Sequence, residues 1–349
     1  MNKLTSTSIP TRWIGPIEVL GQYIQGPCHV PMATFETTLW PSTQRGAKVT
    51  KLSGGIHTVL DQDNMTRSMI LEASSTLQAH QDKRWILQSL TSIEDVLEKQ
   101  SRYAKLQNIH IEIVGRLLFI RLDIHAGEAS GHNMVTKAAD HLIRWLQQER
   151  PHLRYVSISG NMCVDKKVSA INGILGRGKR VIAECYIPRE ICLEHLRVTP
   201  EAFADLNLKK NLIGSNIAGS IRSANSHFAN ILLATYLATG QDAANIVEGS
   251  QGMVCAEANN DGLYISVTLP NIIVGTVGNG KHHGFVLERL ERILGHSPGE
   301  NSARALAEII ASTVLCGEIS CLAAQCNQGE LMRSHTYYER KHRVLSPGE

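Results

Sequence analysis

The chain has 349 residues, enough for one large domain or two modest ones. Apolar side chains make up 43% and charged ones 19%, a composition that forms a buried core and excludes general disorder. The charge balance, 35 Lys and Arg against 32 Asp and Glu for a net +3, offers no basic field for nucleic acid or a membrane surface.

Residues 1–12, MNKLTSTSIPTR, are polar, lack the apolar run of a secretory leader and read as a loose tail. From 68 to 157 the periods are clear. Residues 68–73 form a short strand. A helical region follows, its second part, 91–100, opening with Thr91 and Glu94 at capping-box spacing. Residues 109–114 and 117–124 alternate as two strands around Gly115 and Arg116, a hairpin signal. Met134, Ala138, Leu142, Trp145 and Leu146 recur at helical spacing over 131–150, and Pro151 ends that helix. Residues 153–159 give another strand. The order, strand–helix–strand–strand–helix–strand, is that of a ferredoxin-like unit.

The remainder reads as helix-rich around a few strands. Residues 223–240 are largely apolar, which predicts a central helix buried on all sides. Residues 263–274 are strand-like, 283–295 and 301–327 are helical, and a polar tail runs from Gln328. No apolar run reaches the ~18–20 residues of a bilayer span, so a soluble, cytoplasmic protein is expected. The eight cysteines form no CxxC pair, and no His/Cys cluster has zinc spacing. No metal is expected, and the thiols read as small buried groups of a reducing compartment.

Four segments carry candidate chemistry. GTVGNGKH (275–282) spells GxxxxGK after a strand, but His282 stands where a phosphate loop needs Ser or Thr. A glycine-rich turn against a phosphate or dinucleotide, or a structural turn, both fit it. SGNMCVDKK (159–167) gathers Asp165, Lys166 and Lys167 after a strand, where a lysine can stabilise a developing oxyanion or simply join a solvated charge cluster. GQDAAN (240–245) places Asp242 after an apolar helix, with capping as its ordinary role. Glu36 in MATFETT stands alone among uncharged neighbours, which predicts a buried carboxyl of raised pKa.

Taken together these segments resemble the catalytic region of the 3-hydroxy-3-methylglutaryl-coenzyme A (HMG-CoA) reductase family, in its NADP-preferring class. The resemblance runs from about Ile14 to Arg343, through VPMATFETTLWPSTQRG (30–46), MTR (65–67), SRYAKLQ (101–107), GHNM (131–134), SGNMCVDKK, AINGILGRGK (170–179), KKNLIGS (209–215), SHFAN (226–230), GQDAAN, DGLYISVTLPNIIVGTVGNG (261–280) and RSH (333–335), in the family's order. It departs at Phe35 and Thr37 around the glutamate, at Glu128, and at Asn279 and Lys281 in the glycine turn.

The resemblance implies an α+β fold: a large helix-rich domain around a central buried helix (1–67 and 158–349), with an inserted ferredoxin-like dinucleotide domain (68–157). It implies Glu36, Lys166, Asp242 and His335 as catalytic residues. Arg67, Ser159, Asn161, Asp165, Lys167, Lys210 and Asn230 fall at substrate positions, and Ser42, Arg45 and Lys48 where coenzyme A phosphates are held. Ser101, Arg102, Tyr103, Gly131, Asn133, Met134, Gly278, Asn279 and Gly280 fall around NADPH. The implied reaction is reduction of HMG-CoA to mevalonate with two NADPH and release of coenzyme A. The implied assembly is a homodimer or tetramer, the Lys166 loop facing the partner's Glu36 and the partner's Asp242. A phosphate-loop NTPase, or an acyl-CoA-binding relative without this reaction, are the other readings.

Overall fold

The structure, a computed structural model, describes residues 7–101, 103–278, 280–281 and 283–343, with side chains to Tyr338. In chain order the elements are β1 (Thr11–Leu20), β2 (Gln25–Ala33), α1 (Leu39–Leu52), β3 (Ile56–Glu72), α2 (Thr76–Gln88), α3 (Leu90–Glu98), β4 (Lys105–Val114), β5 (Leu117–His125), α4 (His132–Glu149), β6 (Arg154–Ser157), α5 (Ala170–Leu175) and β7 (Gly178–Pro188). There follow α6 (Arg189–Ile191), α7 (Pro200–Leu206), α8 (Ser215–Ile217), β8 (Ser223–Ala224), α9 (Phe228–Ala238), α10 (Ile246–Gly249), β9 (Gly252–Ala258), β10 (Gly262–Ile272), α11 (Gly284–Leu294), α12 (Ser302–Cys326) and α13 (Glu330–Arg343). Wide π-helical turns cover Cys192–Leu196 and Asn207–Gly214.

One strand joins two layers of sheet. The first part of β3 pairs antiparallel with β7, from His57 opposite Glu184 to Asn64 opposite Gly178. From Met65 onward the same strand pairs antiparallel with β5 instead. The larger sheet runs β2-β1-β3-β7-β10-β9-β8. Around the second part of β3 the pairings give β6-β3-β5-β4, antiparallel throughout. Each part has its own apolar core. Ile56, Val181, Ile265, Leu306, Ile310 and Val314 belong to one. Met69, Leu71, Ile86, Leu122, Leu142 and Leu146 belong to the other.

The hairpin at Gly115 and the helix ended by Pro151 stand as the periodicity predicts. Several other expectations are corrected. The tail expected over 1–12 gives way to β1 at Thr11, and the strand at 68–73 is the end of a 17-residue one. Thr91 lies inside α3, whose N-cap is Ser89, so the capping box does not form. The helix expected over 223–240 is only Phe228–Ala238, because 223–224 pair with β9.

The central buried helix is α12. Among the described residues it is the one helix long and apolar enough to cross a membrane, contrary to the sequence reading, yet 94% of its most apolar stretch is covered by protein. Its two buried carboxylates explain how charge is tolerated there. Glu308 accepts the amides of Gln22 and Tyr23, both at 3.0 Å. Glu318 accepts those of Ser226 at 2.9 Å and His227 at 2.8 Å, the chain entry to α9. A buried carboxylate costs little once chain amides satisfy its oxygens.

Candidate active site

The loop carrying Lys166 is pinned from below. Ser68 Oγ accepts the amides of Met162 at 3.0 Å and Cys163 at 3.1 Å, and Asn172 Nδ2 donates to Val164 O at 2.9 Å. Asn161, Val164 and Lys166 all sit at positive φ (55°, 40° and 55°), a strained run for side-chain-bearing residues. That backbone aims Lys166 Nζ at Asp242 Oδ2, 2.7 Å away, each side chain about two-fifths exposed. Asp242 also accepts Ala244 N at 3.1 Å, so the capping role and the ion pair coexist. The hydrogen bond and charge of Asp242 raise the Lys166 pKa. Partial burial pushes the Asp242 carboxyl up, but Lys166 and the Ala244 amide together hold it below the usual carboxylate range.

Beneath this pair lies a buried network that the sequence reading missed. Arg177 bridges Asp165 at 2.9 Å and Glu248 at 2.7 Å, and Asn245 Nδ2 donates to Glu248 at 3.0 Å. His132 Nε2 is 4.0 Å from Asp165 and buried without a hydrogen-bond partner, as is Arg67 Nε. Burial and the Arg177 charge bring the His132 pKa down to about 4, leaving a neutral imidazole. Lys281, also buried, donates to the Gly240 carbonyl, and burial lowers its pKa to about 8. The amides of Gly275, Thr276, Val277 and Lys281 are all taken by protein acceptors, so the GxxxxGK stretch is not built as a phosphate loop. Lys167 Nζ turns back to Asp165 O at 3.2 Å, and Ser159 and Asn161 are exposed on the same loop.

A second cluster forms where α9 begins. Glu36 is exposed rather than buried, and its carboxylate accepts Asn230 Nδ2 at 2.9 Å. It lines a cavity of about 230 Å³ with Ser42, Arg45, His227, Cys321 and His335. His335 lies on α13, not in the polar tail expected from Gln328 onward. That helix is tied down by Arg45, which donates to Glu330 at 2.7 Å and to Ser320 O at 2.6 Å. Ser42 Oγ donates to the Ser320 hydroxyl at 3.0 Å. Lys48 lines an adjoining groove with Arg45 and Arg333. Lys210 belongs here too, donating to Ser226 Oγ at 2.8 Å. Asn230 lies in the first turn of α9 and Asp242 four residues beyond its last residue, so ~12 Å of helix, at 1.5 Å per residue, runs between the two clusters. Lys166 reaches Asp242 of its own chain, where the expectation set it against the partner's Asp242.

A third cavity opens between β5, the glycine turn and the start of α12. Tyr103, Lys105, Ala126, Met134, Val277 and Arg304 line it. Gly131 caps α4 at φ 92°, where a Cβ would fall 2.7 Å from Ala126 Cβ and 2.9 Å from Met65 Cβ, so the wall admits only glycine. Glu128 secures the far side, accepting Asn301 N and Ala303 N, both at 2.7 Å. An apolar and aromatic wall with two cations suits a nicotinamide dinucleotide. Asn133 is exposed on α4, Ser101 lies just before Tyr103, and Gly278 and Gly280 take positive φ in the turn. Arg102 and Asn279 lie outside the described residues.

Comparison with known proteins places this geometry. A sequence model of the hydroxymethylglutaryl-coenzyme A reductase family matches residues 2–340. The 3-hydroxy-3-methylglutaryl-coenzyme A reductase of Pyrococcus horikoshii is 42% identical over 340 residues, covering 96% of this chain and 82% of the relative. The enzyme of the same name from Aeropyrum pernix is 41% identical over 339 residues, 96% of this chain and 80% of the relative. Among solved structures, a class II reductase from Streptococcus pneumoniae, described as bound to NADPH in open conformations, superposes with a TM-score of 0.74. It is 20% identical, with 93% of this chain and 86% of that chain covered, so the likeness is one of fold. The chain belongs to the hydroxymethylglutaryl-coenzyme A reductase family, a family of oxidoreductases.

Proposed function

We propose that the protein reduces (S)-HMG-CoA to mevalonate and coenzyme A with two NADPH, a step of isoprenoid precursor synthesis in the cytoplasm. The observation that carries this is the Lys166–Asp242 pair, held at 2.7 Å by a strained loop, together with two buried polar atoms that have no hydrogen-bond partner, Arg67 Nε and His132 Nε2. Such groups await a polar ligand, and a hydroxyl- and carboxylate-bearing acyl chain supplies one. NADPH, when bound, supplies hydride equivalents. It would be held by Tyr103, Met134, Gly131, Asn133, Gly278 and Gly280, with Ser101 and Arg102 at the 2′-phosphate and Asn279 in the turn.

The chain's own residues then divide the work. Lys166 stabilises negative charge on the carbonyl oxygen as the thioester, and later the aldehyde, is reduced. Asp242 holds that ammonium charged and aimed. His335 protonates the departing thiolate of coenzyme A, and Glu36, held by Asn230, gives the new alkoxide its proton. Arg67, Ser159, Asn161, Asp165, Lys167 and Lys210 bind the acyl portion. Ser42, Arg45 and Lys48 meet coenzyme A, Arg45 by fixing α13 over the cavity.

The unit over 68–157 is proposed as an inserted ferredoxin-like dinucleotide domain, with 1–67 and 158–349 as the catalytic domain. The βαββαβ order and the pairing β6-β3-β5-β4 support it. Because one chain separates Glu36 from Lys166, a homodimer, or a tetramer of dimers, is proposed to complete each site. The test is thioester-dependent oxidation of NADPH, run beside NADH, with mevalonate identified as product. No oxidation of either nucleotide would overturn the reading.

A further inference from the structure

The turn at 275–281 is tied, at both of its ends, to the chain just ahead of Asp242. Gln241, 8% exposed, pairs with the backbone of Gly275 in both directions. Its Oε1 accepts Gly275 N at 3.0 Å and its Nε2 donates to Gly275 O at 3.1 Å. The same Nε2 donates to Thr239 O at 3.0 Å, which fixes the amide against the end of α9. Lys281, equally buried, closes the other end by donating to Gly240 O. The fit is steric as well as polar. Gly240 takes φ 64°, and a Cβ there would stand 2.9 Å from Val286 Cγ2 and 3.2 Å from Gly280 O.

The other face of the turn rests on the loop that enters α4. Glu128 O accepts Thr276 N at 2.8 Å, and the Glu128 carboxylate accepts Thr276 Oγ1 at 3.2 Å. A Cβ on Gly275 would fall 2.4 Å from Ser130 N. The turn is therefore a packed spacer between that loop and residues 240–241, and Asp242 is the next residue. The Asp242 side chain is about two-fifths exposed, so its aim at Lys166 depends on the backbone that carries it.

We propose that Gln241 and Lys281 are positioning residues: they clamp the backbone ahead of Asp242 to the glycine turn and so hold its carboxylate against Lys166. Both act through Asp242. The part of that pair in hydride chemistry rests on the proposed function, but the clamp is testable without it. An amine attacks an acylating reagent only when neutral, and Asp242 keeps Lys166 protonated. Releasing the clamp frees the amine and speeds acylation. Removing the Lys281 charge has the opposite effect, because the negative charge of Asp242 then acts on Lys166 uncompensated. The direction of change separates position from charge.

The test treats full-length native, Lys281→Met and Gln241→Met proteins, without nucleotide, with trace acetic anhydride. Acetylation at each lysine is followed by peptide mass spectrometry, with exposed Lys209 as reference. Lys166 is expected to react ~3-fold or more faster in both variants, with Lys209 unchanged. Gln241→Met alters no charge, so its gain reports position alone. In a second arm, kcat falls ~10-fold or more on the thioester and on free mevaldehyde alike, with KM for the thioester held, since Lys166 serves both reductions. An unchanged or slower Lys166 rate in the folded variants overturns the proposal. So does loss of fold in both, which would mark the two side chains as contacts of the core. A raised KM for NADPH with kcat kept would place them in nucleotide binding and overturns it too. Absence of NADPH oxidation by the native protein would count against the function alone, because acetylation is scored without nucleotide.

Discussion

Two residues at the proposed site face the same substrate with different tasks, and substitution separates them. His335 acts only where a thiolate departs. His335→Gln is expected to slow thioester reduction by ~10²–10⁴-fold, the range for loss of a general acid, and largely spare reduction of free mevaldehyde. Lys166→Ala is expected to damage both, since both reductions build charge on oxygen. Equal loss on both substrates for His335→Gln would reduce His335 to a structural contact of α13. At this scale the sequence was informative but misled about Glu36. A carboxylate isolated among uncharged neighbours was read as buried. That signal fits Glu248, Glu308 and Glu318, which have no exposure, whereas Glu36 is exposed. Isolation in sequence marks a charge that must find partners inside, but it does not say which carboxylates go in. Arg177 and His132 could not be singled out, because their partners Asp165 and Glu248 are distant along the chain.

At the scale of elements, α12 decides how closely its neighbours approach. Gly46 on α1 lies against it so tightly that a Cβ would stand 1.9 Å from Cys316 O. Gly46→Ala is expected to lower stability by roughly 1–3 kcal/mol, the cost of overpacking, despite alanine's better helix propensity. An unchanged melting temperature would contradict that contact. The joint between α12 and α9 carries a pH signature. The folded pKa of His227, about 10, is raised above its ordinary value of about 6.5. Its contribution is therefore full below pH ~6.5 and is lost as pH rises through about 10. The Tm advantage of the native protein over His227→Gln should shrink from pH 7 to pH 10. Parallel curves would show that the pair does not act this way. Lys281, with a lowered pKa, has the opposite sign and is common to both proteins, so it cancels in the difference.

The elements easiest to read were those with one buried face. Residues 68–157 gave hairpin and helix because apolar side chains there follow one period. β1 was hidden by Gly15 and Pro16, which look like a turn. β7 was hidden by Lys179, buried against Asp63 at 3.0 Å, and by Arg180 and Glu184. α13 has too few apolar residues to show a face. It is fixed to the fold through Arg45 and Glu330, a contact no local pattern contains.

For the whole molecule, the separation of the two clusters by α9 makes a prediction about assembly. If a second subunit completes each site, neither Glu36→Gln nor Lys166→Ala is active alone, but mixing and reassembling them regains activity, because some interfaces then hold one native Glu36 and one native Lys166. Failure to regain any, with mixed dimers shown by mass spectrometry, would place both groups in a single chain's site. The fold itself needs no partner to bring Lys166 to Asp242, so that pair should persist in any monomer.

The central claim is complete reduction of a thioester to an alcohol at one site, and the ratio of nucleotide consumed to thiol released measures it directly. With limiting (S)-HMG-CoA, loss of NADPH absorbance and coenzyme A thiol titrated in the same sample should give two NADPH per thiol, with mevalonate as product. A ratio of one with aldehyde accumulating, or thiol released without nucleotide oxidation, would contradict it.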